Sequence, residues 1–367
     1  MRYGLNLLYL LPGIVGGTEI YAAGLLAGLA NIDQQDEFYV FVNNEAERWP
    51  LPEAFNFIRV VCPVQAVSRV KRYFFEQFNL PGLLKKHKID LVHSLGYVAP
   101  LFPPCLSVVT VPDLNYRVFG AQMPLARRMA LQLFVQQSVR RADHVITISN
   151  FARGQIFRDL GFPENKITVT HLAASFLSAD DISLSMVMQK HGIKLPYIMA
   201  FSSSSQHKNI PCLVRAFGQA RHDDNLPHQL VLLGHRPEND AHAFGMEGVI
   251  LTGYVDEASK HTLLKNTEML VFPSTYEGFG LPVLEAQQAG VPVACSTAAS
   301  LPEVAGDAAV YFDPLSVDEM AKAIGKLAQD ASLRAALKQK GFQNAGKFSW
   351  EQTARLTLEV YRKLINQ

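Results

Sequence analysis

Glu277 and Glu285 stand eight residues apart, the first followed by Gly278-Phe279-Gly280 and the second inside the run Leu281 to Ala289. The apolar residues before them, Val271-Phe272-Pro273-Ser274, read as the end of a strand. Pro282 and Gly290 mark the first turn and the end of a helix. A helix N-terminus placed above the carboxyl edge of a sheet offers free N–H groups and a positive dipole end, which suit a phosphate. The glycines let backbone approach a ligand. Carboxylates repel phosphate, so the partners of Glu277 and Glu285 are expected to be neutral hydroxyls, such as those of a sugar and a ribose. A plain strand-loop-helix with two solvated glutamates would carry the same residues.

Other residues of the right type sit at strand ends. After residues 197–201, Ser202-Ser203-Ser204-Ser205-Gln206-His207-Lys208-Asn209 leads into a helix from about Ile210. Lys208 can meet a diphosphate there, with Ser203 and its neighbours offering hydroxyls and amides. Gly13, Gly16 and Gly17 form a turn before a helix from about Glu19, a weak nucleotide fingerprint by spacing alone. Asp113 ends the run Val108-Val109-Thr110-Val111-Pro112, where it can bind hydroxyls. His93 also closes a strand and reads equally as a buried structural imidazole.

These groups need sheets to hold them. Short apolar runs, turns and helical patterns alternate, the grammar of an α/β chain with parallel sheets covered on both faces. Strands are expected at residues 3–10, 37–42, 91–93, 107–111, 144–148 and 167–169, and then at 197–201, 230–233, 249–251, 269–272 and 292–295. The restart after a polar, irregular stretch at 177–195 places a domain boundary near 178–192. A chain of 367 residues, 49% hydrophobic and 18% charged, fits two cores better than one.

A net charge of +1 gives no general reason to bind nucleic acid. Arg69, Lys71, Arg72, Lys85, Lys86 and Lys88 surround the aromatic stretch 73–78. That cluster reads as a solvated helix face, with a patch on an anionic leaflet as the other reading. Scattered Cys62, Cys105, Cys212 and Cys295 form no disulfide framework and point to a reducing, cytoplasmic compartment. The start of the chain, residues 5–11, is read as a buried strand and not a leader, and no apolar run is long enough to span a bilayer.

The segment Pro273-Ser274-Thr275-Tyr276-Glu277-Gly278-Phe279-Gly280-Leu281-Pro282 with Glu285 resembles the E-x7-E motif of group 1 retaining glycosyltransferases, and similarity continues through residues 301–309, 312–314 and 348–351. The resemblance implies the GT-B fold, two Rossmann-like domains facing across a cleft. An acceptor-side domain would span 1–180, a nucleotide-sugar domain 181–345, and a helix over 346–367 would return to the first. It implies that Glu277 contacts the transferred sugar and Glu285 the ribose. The amides of Phe279, Gly280 and Leu281 would hold sugar and diphosphate, Lys208 would neutralise the leaving group, and the backbone at Tyr254 and Val255 would follow the base. Gly16 and Gly17 match the family's N-terminal glycine loop, which would bind the donor beside its diphosphate and next to the acceptor. Pro112 stands where many relatives have a histidine, and Ser202 to Ser205 replace a common arginine.

The expected reaction moves a mannose or glucose from a donor such as GDP-mannose or UDP-glucose to a glycan or lipid-linked acceptor. Front-face attack is expected, with no metal or other cofactor because the chain has no Asp-x-Asp triplet. A nucleotide-sugar epimerase and a non-catalytic nucleotide-sugar binder stand as the other readings. The site would lie in the cytoplasm, with peripheral contact to the inner face of the membrane.

Overall fold

The structure, a computed structural model, describes residues 1–120, 124–174, 182–235 and 247–367. It divides into two units, Met1–Ala173 with Ser349–Gln367, and Ala174–Phe348. The boundary expected near 178–192 falls partly on residues 175–181, which lie outside the described residues.

In the first unit the strands are β1 (Arg2–Asn6), β2 (Glu37–Val42), β3 (Phe57–Val61), β4 (Leu91–Ser94), β5 (Leu106–Thr110), β6 (His144–Thr147) and β7 (Ile167–Val169). Its helices are α1 (Gly17–Ile32), α2 (Arg69–Phe78), α3 (Leu80–Lys86), α4 (Asn115–Val118), α5 (Leu125–Arg141) and α6 (Asn150–Leu160). The sheet runs β3-β2-β1-β4-β5-β6-β7 with parallel pairing throughout.

The second unit holds α7 (Leu184–His191), β8 (Tyr197–Ser202), α8 (Ile210–Asp223), β9 (Gln229–Gly234), β10 (Val249–Gly253) and α9 (Glu257–Asn266). It continues with β11 (Met269–Phe272), α10 (Leu281–Gln288), β12 (Val293–Ser296), α11 (Leu301–Ala305), β13 (Ala309–Phe312), α12 (Val317–Gln329) and α13 (Ala331–Ala345). Its parallel sheet is ordered β10-β9-β8-β11-β12-β13. Strand order reverses between β8 and β11, so the loops after these two strands diverge at one place above the carboxyl edge.

Each sheet buries both faces. In the second, Ile198, Val271 and Ala294 meet α8 and α12 on one side, while Met199, Leu270 and Val293 meet α9 and α10 on the other. Such near-continuous apolar strands are what a doubly covered parallel sheet demands.

Several local expectations are corrected. The strand expected over 3–10 ends at Asn6, whose Oδ1 accepts from the Leu8 amide while Asn43 Nδ2 donates to the Leu8 and Leu10 carbonyls. Leu7 to Leu10 are buried, but in a turn held by two asparagines. β3 was not expected, although its residues Phe57-Ile58-Arg59-Val60-Val61 are strand-favouring; it lies half-exposed at the sheet edge. The stretch read as polar and irregular beside a weak helical pattern contains α7, which is that pattern, closed by Gly192 with φ 69°. Of the cysteines, all free, Cys105 is only half-buried.

The last helix, α14 (Trp350–Ile365), lies on α1 within the first unit. A Cβ at Gly24 would stand 2.2 Å from the Trp350 ring, and one at Gly28 would stand 2.4 Å from the Trp350 carbonyl. Only hydrogen at both sites allows this approach. Arg362 adds ion pairs to Asp33 at 2.6 Å and Asp36 at 3.2 Å.

Glu76 on α2 is buried at 2% exposure beside Arg72, with Nε to Oε2 at 3.8 Å. Arg72 is thus turned inward, unlike the exposed lysines with which its sequence neighbours suggest it belongs. Burial pushes the Glu76 carboxyl up to about 7, against the opposing pull of Arg72 and Asn6. The folded chain therefore keeps a proton on Glu76 above the unfolded pKa of about 4.3, and stability falls as pH rises through that window. Glu76→Gln cannot ionise, so its melting temperature is expected to gain on the parent's between about pH 5 and about pH 8. Equal differences at both ends would contradict this.

Candidate functional site

The loop after β8 and the loop after β11 meet where strand order reverses. Thr275 N donates to the His207 carbonyl at 2.8 Å. Asn209, in the left-handed region with φ 56°, sends its amide to the Pro273 carbonyl at 3.2 Å and the Pro314 carbonyl at 2.7 Å. Across this seam Lys208 Nζ reaches Glu277 Oε1 at 2.6 Å and lies 5.1 Å from the Phe272 ring centroid. Both side chains are largely buried, at 21% and 15% exposure. The neighbouring His207 imidazole is held below its ordinary pKa by burial, aided by Lys208 and opposed by Glu277, which keeps it neutral near pH 7.

Two buried serines hold the carbonyls of the loop that carries Glu277. Ser300 Oγ lies 2.9 Å from the Glu277 carbonyl and 2.8 Å from that of Phe279, and Ser296 Oγ donates to the Ser274 carbonyl at 2.6 Å. Phe279 is buried and meets the Phe348 ring edge-on at 5.9 Å. Gly280 caps α10 with φ 110°, and a Cβ there would also strike Leu301 at 2.7 Å. α10 starts at Leu281 with Pro282 beside it, and no side chain caps this N-terminus. Pro282 has no N–H and the Val283 N–H donates to the Gly280 carbonyl at 3.0 Å, so this end offers an anion the Leu281 amide and the positive end of the helix dipole.

Glu285, one turn into α10, stands 3.7 Å from Lys260 on α9, whose ammonium also pairs with Glu257 at 2.6 Å. Sequence reading missed Lys260, because nothing in the spacing of α9 shows which face meets α10. Lys260→Ala is expected to weaken donor binding about threefold to tenfold, with kcat nearly unchanged, because it leaves Glu285 unguided. Titration calorimetry with the nucleoside diphosphate measures this, and unchanged affinity would contradict it.

Ser203 accepts from the Ser205 amide at 3.2 Å, so its hydroxyl shapes the turn. Tyr254 is 82% exposed beyond the end of β10, and Val255 packs against the adjoining core.

The remaining residues singled out from sequence belong to the first unit. Gly16 precedes α1 and Gly17 begins it, in a turn where the Gly13 amide meets Glu19 Oε2 at 2.8 Å. Asp113 Oδ1 accepts from Tyr97 OH at 2.8 Å and from the Asn115 amide at 3.1 Å. His93 is fully buried, with Nε2 on Thr110 Oγ1 at 2.7 Å and Nδ1 on Tyr361 OH. Burial drives its pKa down to about 3, so it is a neutral structural imidazole linking β4 to α14. Among the described residues no group of three His, Cys, Asp or Glu is placed to hold a metal ion.

Residues 187–344 match the family model described as glycosyl transferases group 1, and residues 15–173 that of glycosyltransferase family 4. The chain is 32% identical over 268 residues to O-antigen chain mannosyltransferase B of Escherichia coli, covering 70% of each chain. Among solved structures it is similar to sucrose-phosphate synthase from Thermosynechococcus elongatus, with TM-score 0.74, 18% identity, and coverage of 100% of this chain and 99% of that one. It is also similar to Anabaena HepE in complex with UDP and glucose, with TM-score 0.72, 16% identity, and coverage of 99% and 100%. The two parallel sheets are those of the GT-B fold, and the chain belongs to the group 1 glycosyltransferases.

Proposed function

We propose that this glycosyltransferase moves a hexose, mannose or glucose, from a nucleotide-diphosphate sugar to a glycan or lipid-linked acceptor with retention of configuration. The observation that carries the reading is the convergence of Lys208 and Glu277 beside the uncapped N-terminus of α10. A diphosphate there meets one ammonium, the Leu281 amide and the positive end of a helix dipole, and the sugar next to it meets a carboxylate. The E. coli relative's name favours mannose, while the Anabaena structure was solved with UDP and glucose.

On this reading the backbone of Tyr254 and Val255 follows the base, Glu285 binds ribose hydroxyls, and Ser203 with the amides of Phe279, Gly280 and Leu281 takes phosphate and sugar oxygens. Gly16 and Gly17 bind the donor beside its diphosphate, next to the acceptor, and Asp113 binds acceptor or sugar hydroxyls. Lys208 pairs with Glu277. An arriving diphosphate carries more negative charge than one carboxylate and competes for the ammonium, which frees Glu277 for sugar hydroxyls.

The anomeric C–O bond then breaks with its electron pair leaving on the diphosphate. The acceptor oxygen attacks the same face, and its proton passes to a phosphate oxygen. Lys208 and the α10 dipole stabilise the leaving charge, and the reaction needs no metal. The enzyme works in the cytoplasm, where the four thiols stay reduced.

A panel of UDP, GDP and ADP sugars, read first by thermal shift and then by NMR of the product anomer with and without EDTA, tests this. A retained anomer at undiminished rate in EDTA is expected. An inverted product, a sugar changed in place without transfer, or a rate abolished by EDTA and restored by a divalent cation would each overturn the corresponding part.

A further inference from the structure

The basic and aromatic cluster around α2 has no role in donor chemistry. On α2, Val70, Phe74 and Phe78 recur at helical spacing and are 80%, 61% and 70% exposed. Phe74 and Phe78 rings touch each other, with centroids 4.6 Å apart, instead of any core. The opposite side of the helix is fixed inward by buried Phe75 and Glu76. The outward face is therefore set by the fold and is not a frayed end.

The apolar surface continues beyond one helix. Tyr73 on α2 meets Phe134 on α5 at 4.8 Å, and α5 exposes Met129 and Leu133 one turn apart. Gln77 ties α2 to the following loop, donating to the Ala99 carbonyl at 3.1 Å and accepting from the Leu101 amide at 2.9 Å. The next residue of that loop, Phe102, is 71% exposed beneath the Arg141 guanidinium at 4.2 Å. Exposed phenylalanines on two tied segments exceed what a soluble surface ordinarily leaves to water.

Charge segregates to the same stretch. Residues 61–141 contain eleven Lys and Arg against three Asp and Glu, whereas the whole chain is nearly balanced at +1. Glu76 and Arg72 are both turned inward, and without that pair the stretch still holds ten Lys and Arg against two Asp and Glu. Lys71 sits on the exposed face of α2, with Lys85 and Lys86 exposed on α3 and Arg140 exposed at the end of α5.

We infer that this face, α2 with the exposed edge of α5 and Phe102, docks the protein on an anionic lipid leaflet, the phenylalanines entering the headgroup region and the lysines meeting lipid phosphates. Apolar side chains supply insertion and the cations supply attraction, and neither alone holds a protein firmly to a bilayer. An acidic protein would satisfy the cations, but it would not call for two adjacent phenylalanines standing free in water. No helix among the described residues is long and apolar enough to cross a membrane, so the contact is peripheral. The inference does not depend on the donor reading.

Co-sedimentation of the full chain with phosphatidylcholine vesicles, and with equimolar phosphatidylcholine and phosphatidylglycerol, tests it. Binding is expected to be at least about tenfold stronger on the anionic vesicles, and to fall steeply as salt rises from about 0.05 M to about 0.5 M. F74S/F78S is expected to lose about tenfold or more on anionic vesicles, with its melting temperature and nucleotide-induced thermal shift unchanged. The charge reversals K71E/K85E/K86E are expected to lose anionic binding and leave the weak neutral binding in place. Failure of the parent to bind anionic vesicles, or parental binding by F74S/F78S, would overturn the inference. So would a parent dimer in solution that F74S/F78S dissociates, which would assign the face to a second copy of the chain.

Discussion

Replacing Glu277 by alanine is expected to lower kcat at least about a thousandfold while nucleoside diphosphate binds as tightly as to the parent, or up to about tenfold more tightly. The two halves of that result have separate causes. The loop that holds Glu277 is fixed through carbonyls of residues 274, 277 and 279, which Ser296 and Ser300 hold, so truncating the side chain leaves the loop in place. On the proposed mechanism, what disappears is the carboxylate beside the sugar, where positive charge develops as the anomeric bond opens. Lost stabilisation of about 4 kcal/mol corresponds to the thousandfold fall. Binding survives because Lys208, paired with Glu277 at 2.6 Å, no longer has a competitor for its ammonium. Single-turnover transfer and calorimetry with the diphosphate measure the two quantities. Activity within tenfold of the parent would remove Glu277 from the reaction, and a large loss of diphosphate affinity would show that its part is structural. Glu277→Gln keeps shape without charge and is expected to fall nearly as far, which separates charge from packing.

Much of this site is legible in the chain because its parts are local in sequence. A strand, a glycine loop and a helix with Pro282 near its start fix the direction of the α10 N-terminus, whatever surrounds them. The same holds for the Lys208 turn, where β8, the serine run and α8 lie where the apolar pattern places them. What spacing cannot supply is which turns meet. That follows from strand order, with β8 beside β11 although 66 residues separate Ser202 from Met269 in numbering. Lys260 is illegible for the same reason, since its contact with Glu285 depends on how α9 and α10 face each other. His93 shows the opposite limit. Its place at a strand end invites a role in chemistry, and only the partners on both nitrogens, one from a helix 268 residues away, reveal it as part of the core. The turn at Leu7 to Leu10 was read as strand because burial and strand produce the same apolar run, and the asparagines that bend the chain act from β1 and from beyond β2.

Lys208→Met is expected to reduce kcat/KM about a thousandfold and, unlike Glu277→Ala, to weaken diphosphate binding about tenfold to a hundredfold. A nucleoside monophosphate reaches less of this cation, so its affinity is expected to fall much less, and the ratio of the two affinities isolates the contact. Methionine keeps most of the apolar stem against Phe272, where Lys208 lies 5.1 Å from the ring centroid, so the change removes charge more than packing. The double variant carries the sharper test. If diphosphate capture by Lys208 is what releases Glu277 to the sugar, both residues act in one event, and Glu277→Gln with Lys208→Met costs little more than the worse single change. Independent roles would instead multiply the losses to about a millionfold, the sum of two separate barriers of about 4 kcal/mol. A multiplicative result would leave each residue in the site but dissolve the exchange of partners between donor-free and donor-bound states. A coupled result would show that the Lys208–Glu277 ion pair keeps the two charges ready, each neutralised by the other until the substrate separates them.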